Sequence, residues 1–136
     1  MKIYIASDHA GFELKKALLL ENNEKFIDLG PSEFDKDDDY PDYAGKLVSK
    51  LNKNDFGVLI CGSGQGMAMA ANKLGSRAAL CRNEEDAIDS REHNDARIAC
   101  LGAKYTTKEL AEKIINCFVE TKFSGEERHV RRIGKI

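Results

Sequence analysis

Apolar residues in this chain follow two alternating rhythms. Short, nearly unbroken runs at Ile3 to Ala6, Phe26 to Leu29, Val58 to Cys61, Arg77 to Cys81 and Ile98 to Leu101 read as strands covered on both faces. Helix-compatible stretches lie between them: Phe12 to Leu20, about Tyr43 to Leu51, the alanine-rich stretch after Gly66, and Asn83 to Arg91. Beyond the fifth run, Leu110, Ile114 and Phe118 beside Ala111, Ile115 and Val119 make two adjacent i, i+4 rows and one continuous apolar face. Thr106 with Glu109 predicts a capping box for that helix, and Asn83 followed by acidic residues predicts a capped start for the one before it. Gly30-Pro31 stops the second strand.

Strands joined by helices predict an α/β fold: a single domain over 1–136, doubly wound around a five-stranded parallel sheet, Rossmann-like, with helices on both faces and a C-terminal helical extension. Ligands of such sheets sit at the carboxyl ends of the strands. Those positions hold Ser7-Asp8-His9, Cys61 to Gly66 and Arg82-Asn83, all on one rim.

The richest of these is the stretch Val58 to Lys73. A β-branched run ends in a thiol, and Gly62, Gly64 and Gly66 let the backbone come close to a ligand before a helix whose first N–H groups are free. The arrangement reads as an anion cradle with a proton acceptor on its rim, against the simpler reading of a tight structural turn. The glycine spacing fails the dinucleotide fingerprint, and no Gly-Lys-Ser/Thr closes a mononucleotide loop. Asp8 reads either as a helix cap or, with His9 beside it, as half of a functional pair.

Arg91-Glu92-His93-Asn94-Asp95 is a dense polar cluster that reads as functional or as a solvated loop. Asp35 to Asp39 reads as a solvated loop, because it lacks the glycine and the closing glutamate of a calcium loop. Tyr40 and Pro41 stand apart from it, an aromatic with a hydroxyl beside a fixed backbone. On a C-terminal helix, Arg128 and Arg132 share a face and suit a phosphate.

Composition narrows the partners. A net charge of −2 over 136 residues and 7% aromatic content argue against nucleic acid, and a small phosphorylated ligand fits better. No apolar stretch reaches membrane-spanning length, and the short run at Ile3 leads into charged residues, so a cytoplasmic protein is expected. Cys61, Cys81, Cys100 and Cys117 contain no C-x-x-C pair. A metal site joining them to His9 or His93 is the lesser reading, and Cys81, Cys100 and Cys117 are expected to be small buried hydrophobes.

Six collinear runs now carry a resemblance. Ser7-Asp8-His9-Ala10-Gly11, Asp39-Tyr40-Pro41-Asp42-Tyr43, Cys61-Gly62-Ser63-Gly64-Gln65-Gly66, Ala70-Ala71-Asn72-Lys73, Arg91-Glu92-His93-Asn94-Asp95 and Arg128-His129 to Arg132 resemble ribose-5-phosphate isomerase type B and its sugar-phosphate isomerase relatives. The resemblance implies an aldose-ketose isomerase acting on ribose 5-phosphate and ribulose 5-phosphate through ring opening and a cis-enediolate, with no metal and no organic cofactor. By similarity Cys61 is the base, His93 assists ring opening, and Asp8 and Ser63 complete the catalytic set. Asp8, His9, Tyr40 and Asn94 contact sugar oxygens, Gly62, Ser63, Gly64, Gln65 and Gly66 hold the enediolate, and Lys104, Arg128 and Arg132 bind phosphate. The implied assembly is a homodimer, or a dimer of dimers, whose sites draw His93 and Asn94 from the partner.

Enediolate chemistry asks for such a set independently. Preorganised N–H donors at a developing oxyanion contribute about 3 to 4 kcal/mol to the transition state. A thiol with an ordinary pKa of about 8.5 is only a few per cent thiolate at neutral pH, and helix N-termini favour the anion. Some relatives have a glutamate just after the glycine loop and no cysteine; here Met67 fills that position and the thiol is present. Lys104 stands where an arginine is often found, which keeps the charge and loses the bidentate fork. Isomerisation of a six-carbon sugar phosphate, such as allose or galactose 6-phosphate, and a non-catalytic sugar-phosphate binding module are the alternatives. A cysteine hydrolase is disfavoured, since the loop has no arginine for a phosphoryl group.

Overall fold

The five apolar runs form one parallel sheet. The computed structural model describes residues 1–136, in the order β1 (Ile3–Ser7), α1 (Phe12–Asn22), β2 (Ile27–Asp28), α2 (Tyr40–Lys50), β3 (Phe56–Cys61), α3 (Gln65–Lys73), β4 (Ala78–Leu80), α4 (Glu84–Asn94), β5 (Ile98–Gly102), α5 (Lys108–Glu120) and α6 (Glu127–Ile133). Spatial order is β2-β1-β3-β5-β4, the doubly wound arrangement expected. Ser7 is in register with Ile60, and Cys61 with Gly102, so the carboxyl ends of the three central strands finish level.

Alternation within each run divides the core. Ile3 and Ile5, Phe56, Val58 and Ile60, and Ala99 and Leu101 face Leu18 of α1, Ala87 of α4 and the Ala111, Ile114, Ile115 and Phe118 stripe of α5. Tyr4 and Ala6, Leu59 and Cys61, and Ile98 and Cys100 face Ala44 and Leu47 of α2 and Met67 and Ala71 of α3. Cys81 and Cys100 are fully buried, as expected of small apolar residues, whereas Cys117 is only half-buried. No helix is long and apolar enough to cross a membrane.

Two buried cations pin the layers. Lys15 of α1 donates to both carboxylate oxygens of Asp28 at 2.6 and 2.8 Å and to Pro31 O at 2.8 Å. Arg91 of α4 reaches Asp95 at 2.6 Å, Ala96 O at 2.7 Å and Thr121 O at 3.3 Å, with its guanidinium 4.8 Å from the Phe56 ring centroid. Outside β4, the Asn72 side chain pairs with both backbone groups of Ala78 at 2.9 Å.

Several boundaries differ from the sequence expectation. The cap of α5 is Thr107, whose Oγ1 accepts from Leu110 N at 3.2 Å, because Thr106 is turned inward and buried. Pro41 sits in the first turn of α2, where its missing N–H costs nothing, so that helix starts at Tyr40. Asn83 caps α4 through Asp86 N at 2.7 Å as predicted, but the helix continues to Asn94 and stops at Asp95, whose φ is +46°. The cluster from Arg91 is therefore a last helical turn with a buried member, and not a solvated loop.

Replacing Arg91 with Met leaves two carbonyls and Asp95 short of a charged donor. It is expected to lower the unfolding free energy by about 2 to 3 kcal/mol, whereas Arg82→Met, which breaks an exposed pair with Asp86, is expected to cost less than about 1 kcal/mol. Urea denaturation of the two variants checks the contrast.

Candidate active site

At the end of β3 the chain leaves the sheet through the predicted glycine loop. Gly64 takes φ +78° at the position before α3, and its N–H donates to the Cys61 sulfur at 3.1 Å. The thiol keeps 5% exposure, at the level where β1, β3 and β5 end. Ser63 and Gly62 are half-buried, while Gln65 is exposed and opens the helix. Cys81 and Cys100 offer no second reactive thiol: burial pushes the first up to about 12 and the second well above the ordinary thiol range.

The rest of this rim converges on the loop. The Lys104 side chain passes Gly62, where an added Cβ would meet its Cε at 3.6 Å. The Tyr40 ring covers Gly66, leaving 2.6 Å between a Cβ there and ring Cζ. Asp8 is buried and accepts from Gly11 N at 3.1 Å in the turn ahead of α1, whose cap position is Gly11 itself; burial outweighs that bond and raises the pKa of Asp8. His9 donates its backbone N–H to Asp38 Oδ1 at 3.0 Å, and its ring Nδ1 lies 2.7 Å from the same oxygen. That contact raises the pKa of the imidazole. The Asp38 carboxyl is 6% exposed, which corrects its reading as part of a solvated loop.

Asp8, His9 and Asp38 are also the group whose ligand atoms, all within 4.8 Å of one another, come nearest to a cation site. No cysteine belongs to it, so the structure does not assemble the cysteine-histidine metal site weighed from the sequence.

His93, Asn94, Arg128 and Arg132 are not brought to this rim. The α4 helix starts at the carboxyl end of β4 and returns to the amino end of β5, placing its last turn beside Phe56, the first residue of β3. The six residues of β3 separate that end from Cys61 by roughly 17 Å. α6 docks on the same part of α4: the His129 ring stacks on His93 at 4.8 Å and 23°, and Ser124 N donates to Glu92 O at 3.0 Å. Burial lowers the His129 pKa. Arg128, Arg132 and Asn94 are exposed, with Arg128 held by Glu126 at 2.8 Å. The residues singled out from the sequence thus fall into two groups at opposite ends of the sheet. Five clefts on the chain, of about 320 to 420 Å³ each, are lined by neither Cys61 nor the glycine loop.

Comparison with known proteins gives a consistent picture. The sequence profile described as Ribose/Galactose Isomerase matches residues 3–136. The chain is 46% identical to the probable ribose-5-phosphate isomerase B of Mycoplasma pneumoniae, over 98% of this chain and 91% of that one. It is 39% identical to ribose-5-phosphate isomerase B of Mycolicibacterium paratuberculosis, over 98% and 87%. Among solved structures it matches a ribose 5-phosphate isomerase of Thermotoga maritima with a TM-score of 0.90 and 46% identity, covering 98% of this chain and 95% of that one. It matches ribose-5-phosphate isomerase B of Mycoplasma genitalium, solved with bound ribulose-5-phosphate, with a TM-score of 0.89 and 44% identity over 98% and 92%.

Gly64 combines a left-handed backbone with a close approach, since an added Cβ would stand 2.9 Å from the Leu101 carbonyl carbon. Gly75 has φ +85° and open space around it. Gly75→Ala is expected to cost about 1 to 2 kcal/mol for the backbone alone, and Gly64→Ala clearly more; the difference between their denaturation midpoints measures how tightly the loop lies on β5.

Proposed function

This chain belongs to the ribose/galactose isomerase family and is an isomerase, and we propose that its reaction is the interconversion of ribose 5-phosphate and ribulose 5-phosphate. The observation that carries the reading is the Cys61 sulfur receiving the Gly64 N–H on a loop that opens a helix. A thiolate there takes the proton from C2 of the open aldose and returns it to C1, while the hydroxyl proton moves from O2 to O1. The N–H groups of the loop from Gly62 to Gly66, with Ser63, hold the enediolate between the two transfers.

Asp8, His9 and Tyr40 bind sugar oxygens from the same rim, and Lys104 adds positive charge beside Gly62. His93, which helps open the ring, Asn94, and the phosphate ligands Arg128 and Arg132 come from a second copy. The separation of the two half-sites within one chain supports this homodimer, because neither half alone holds both a base and a phosphate clamp. No organic cofactor or metal is needed, since every transfer is of a proton. Four unbonded cysteines suit a cytoplasmic setting, where thiols stay reduced.

The tests are kinetic, with five- and six-carbon aldose phosphates assayed in the presence of a chelator. Turnover of ribose 5-phosphate is expected to dominate and to survive chelation. Cys61→Ser is expected to lower kcat by about 10²- to 10⁴-fold with substrate binding retained; a wild-type rate in that variant would rule out the thiol as base. Mixing inactive Cys61→Ser and His93→Ala subunits is expected to restore about a quarter of wild-type activity, the share of sites that random two-fold pairing makes whole. No recovery after mixing would rule out shared sites.

A further inference from the structure

Asp38 has no part in the reaction described above, yet it is the most deeply placed carboxylate of the acidic loop. Its Oδ1 accepts from both the His9 backbone and ring Nδ1, and its Oδ2 is buried with no partner. A carboxylate desolvated this far demands a cation or a proton. Its neighbour across the 2.7 Å contact is an imidazole, and that length is typical of a charge-assisted bond.

The groups facing the ring agree on the sign. Asp8 stands in the same turn, Asp38 comes from the loop before α2, and the Tyr43 hydroxyl of α2 approaches Asp38 with a raised pKa, so it stays neutral. The Phe34 ring stands edge-on to His9 at 6.4 Å and to Phe12 at 6.0 Å, and the His9 side chain keeps 38% exposure. Two carboxylates therefore surround one imidazole. With Nδ1 tied to Asp38, Nε2 is the free ring nitrogen, a donor when the imidazole is charged and an acceptor when it is neutral.

We propose that Asp38 is a positioning residue: it holds His9 as an imidazolium of fixed orientation, whose Nε2–H meets an anionic or hydroxyl oxygen of the sugar phosphate. The substrate part of this inference rests on the function proposed above; the charge state of His9 does not. The raised pKa of His9 is in keeping with the geometry, and its sign sets the test. A histidine whose proton is held by a partner stays charged to higher pH, and without the partner it loses that charge near its ordinary value of about 6.5.

The experiment follows imidazole Cε1–H resonances of the three histidines by NMR across pH, in the wild-type protein without ligand and in Asp38→Asn. His9 is expected to titrate above His129 in the wild type, and its midpoint to fall toward about 6.5 in the variant. In kinetics, Asp38→Asn is expected to raise KM for ribose 5-phosphate about 10-fold at pH 8 and to approach wild-type KM at pH 6, with kcat little changed. Asp37→Asn, at an exposed neighbouring position, is expected to match the wild type at both pH values. A wild-type His9 that titrates at or below about 6.5, an unchanged midpoint in Asp38→Asn, or an equal loss at pH 6 and pH 8 would each overturn the proposal. The wild-type titration decides the point even if the variant does not fold. A wild-type protein inactive on ribose 5-phosphate would count against the proposed function and leave the His9 titration standing.

Discussion

The glycine loop lies flat on the end of β5, and the rest of the rim depends on that approach. A Cβ on Gly102 would stand 2.6 Å from Ser63 O, and one on Gly64 would stand 2.6 Å from a Leu80 methyl. With no side chain intervening, Ala103 N donates to Cys61 O at 2.8 Å and Lys104 N to Gly62 O at 3.0 Å. Those two bonds carry the chain after β5 across the loop, which is how Lys104 reaches Gly62. The same flatness aims Gly64 N at the sulfur and starts α3 beside it. Thiol, donor and cation are thus set by a backbone contact that any larger residue would push apart.

Much of this was legible in the chain. The three central strands, covered on both sides, show as uninterrupted apolar runs, whereas β2 is exposed and β4 half-buried at the sheet edges; the order around the switch between β1 and β3 puts Asp8, His9 and Cys61 on one rim. What escaped was long-range. Asp38 looks like its neighbours Asp35, Asp37 and Asp39, and only a partner 29 positions away distinguishes it. Arg91 reads as a surface residue until Phe56, Phe118 and Thr121 fold around it. The misplaced cap on α5 is a local error, since Thr106 and Thr107 are adjacent and only the inward turn of the first leaves the second free to bond Leu110.

The path of α4 explains why two sets of functional candidates stay apart. A crossover helix must return to the amino edge before the next parallel strand can begin. Anything on its last turn is therefore held a strand's length from the carboxyl rim. Arg91 fixes that turn through Asp95, Ala96 and Thr121, and the segment it grips leads into α6. Its buried charge thus orders His93, His129 and the exposed arginines as one unit.

The two borders of the sheet are closed in different ways. β2 offers two residues, and its carboxylate is occupied by a buried ammonium; β4 offers three, and the carboxamide of Asn72 already satisfies both main-chain groups of Ala78. Neither margin presents a run long enough to recruit an extended segment from another molecule, so strand-on-strand polymerisation is blocked. Helix surfaces and loops, and not strand edges, are the faces this fold leaves open to other molecules.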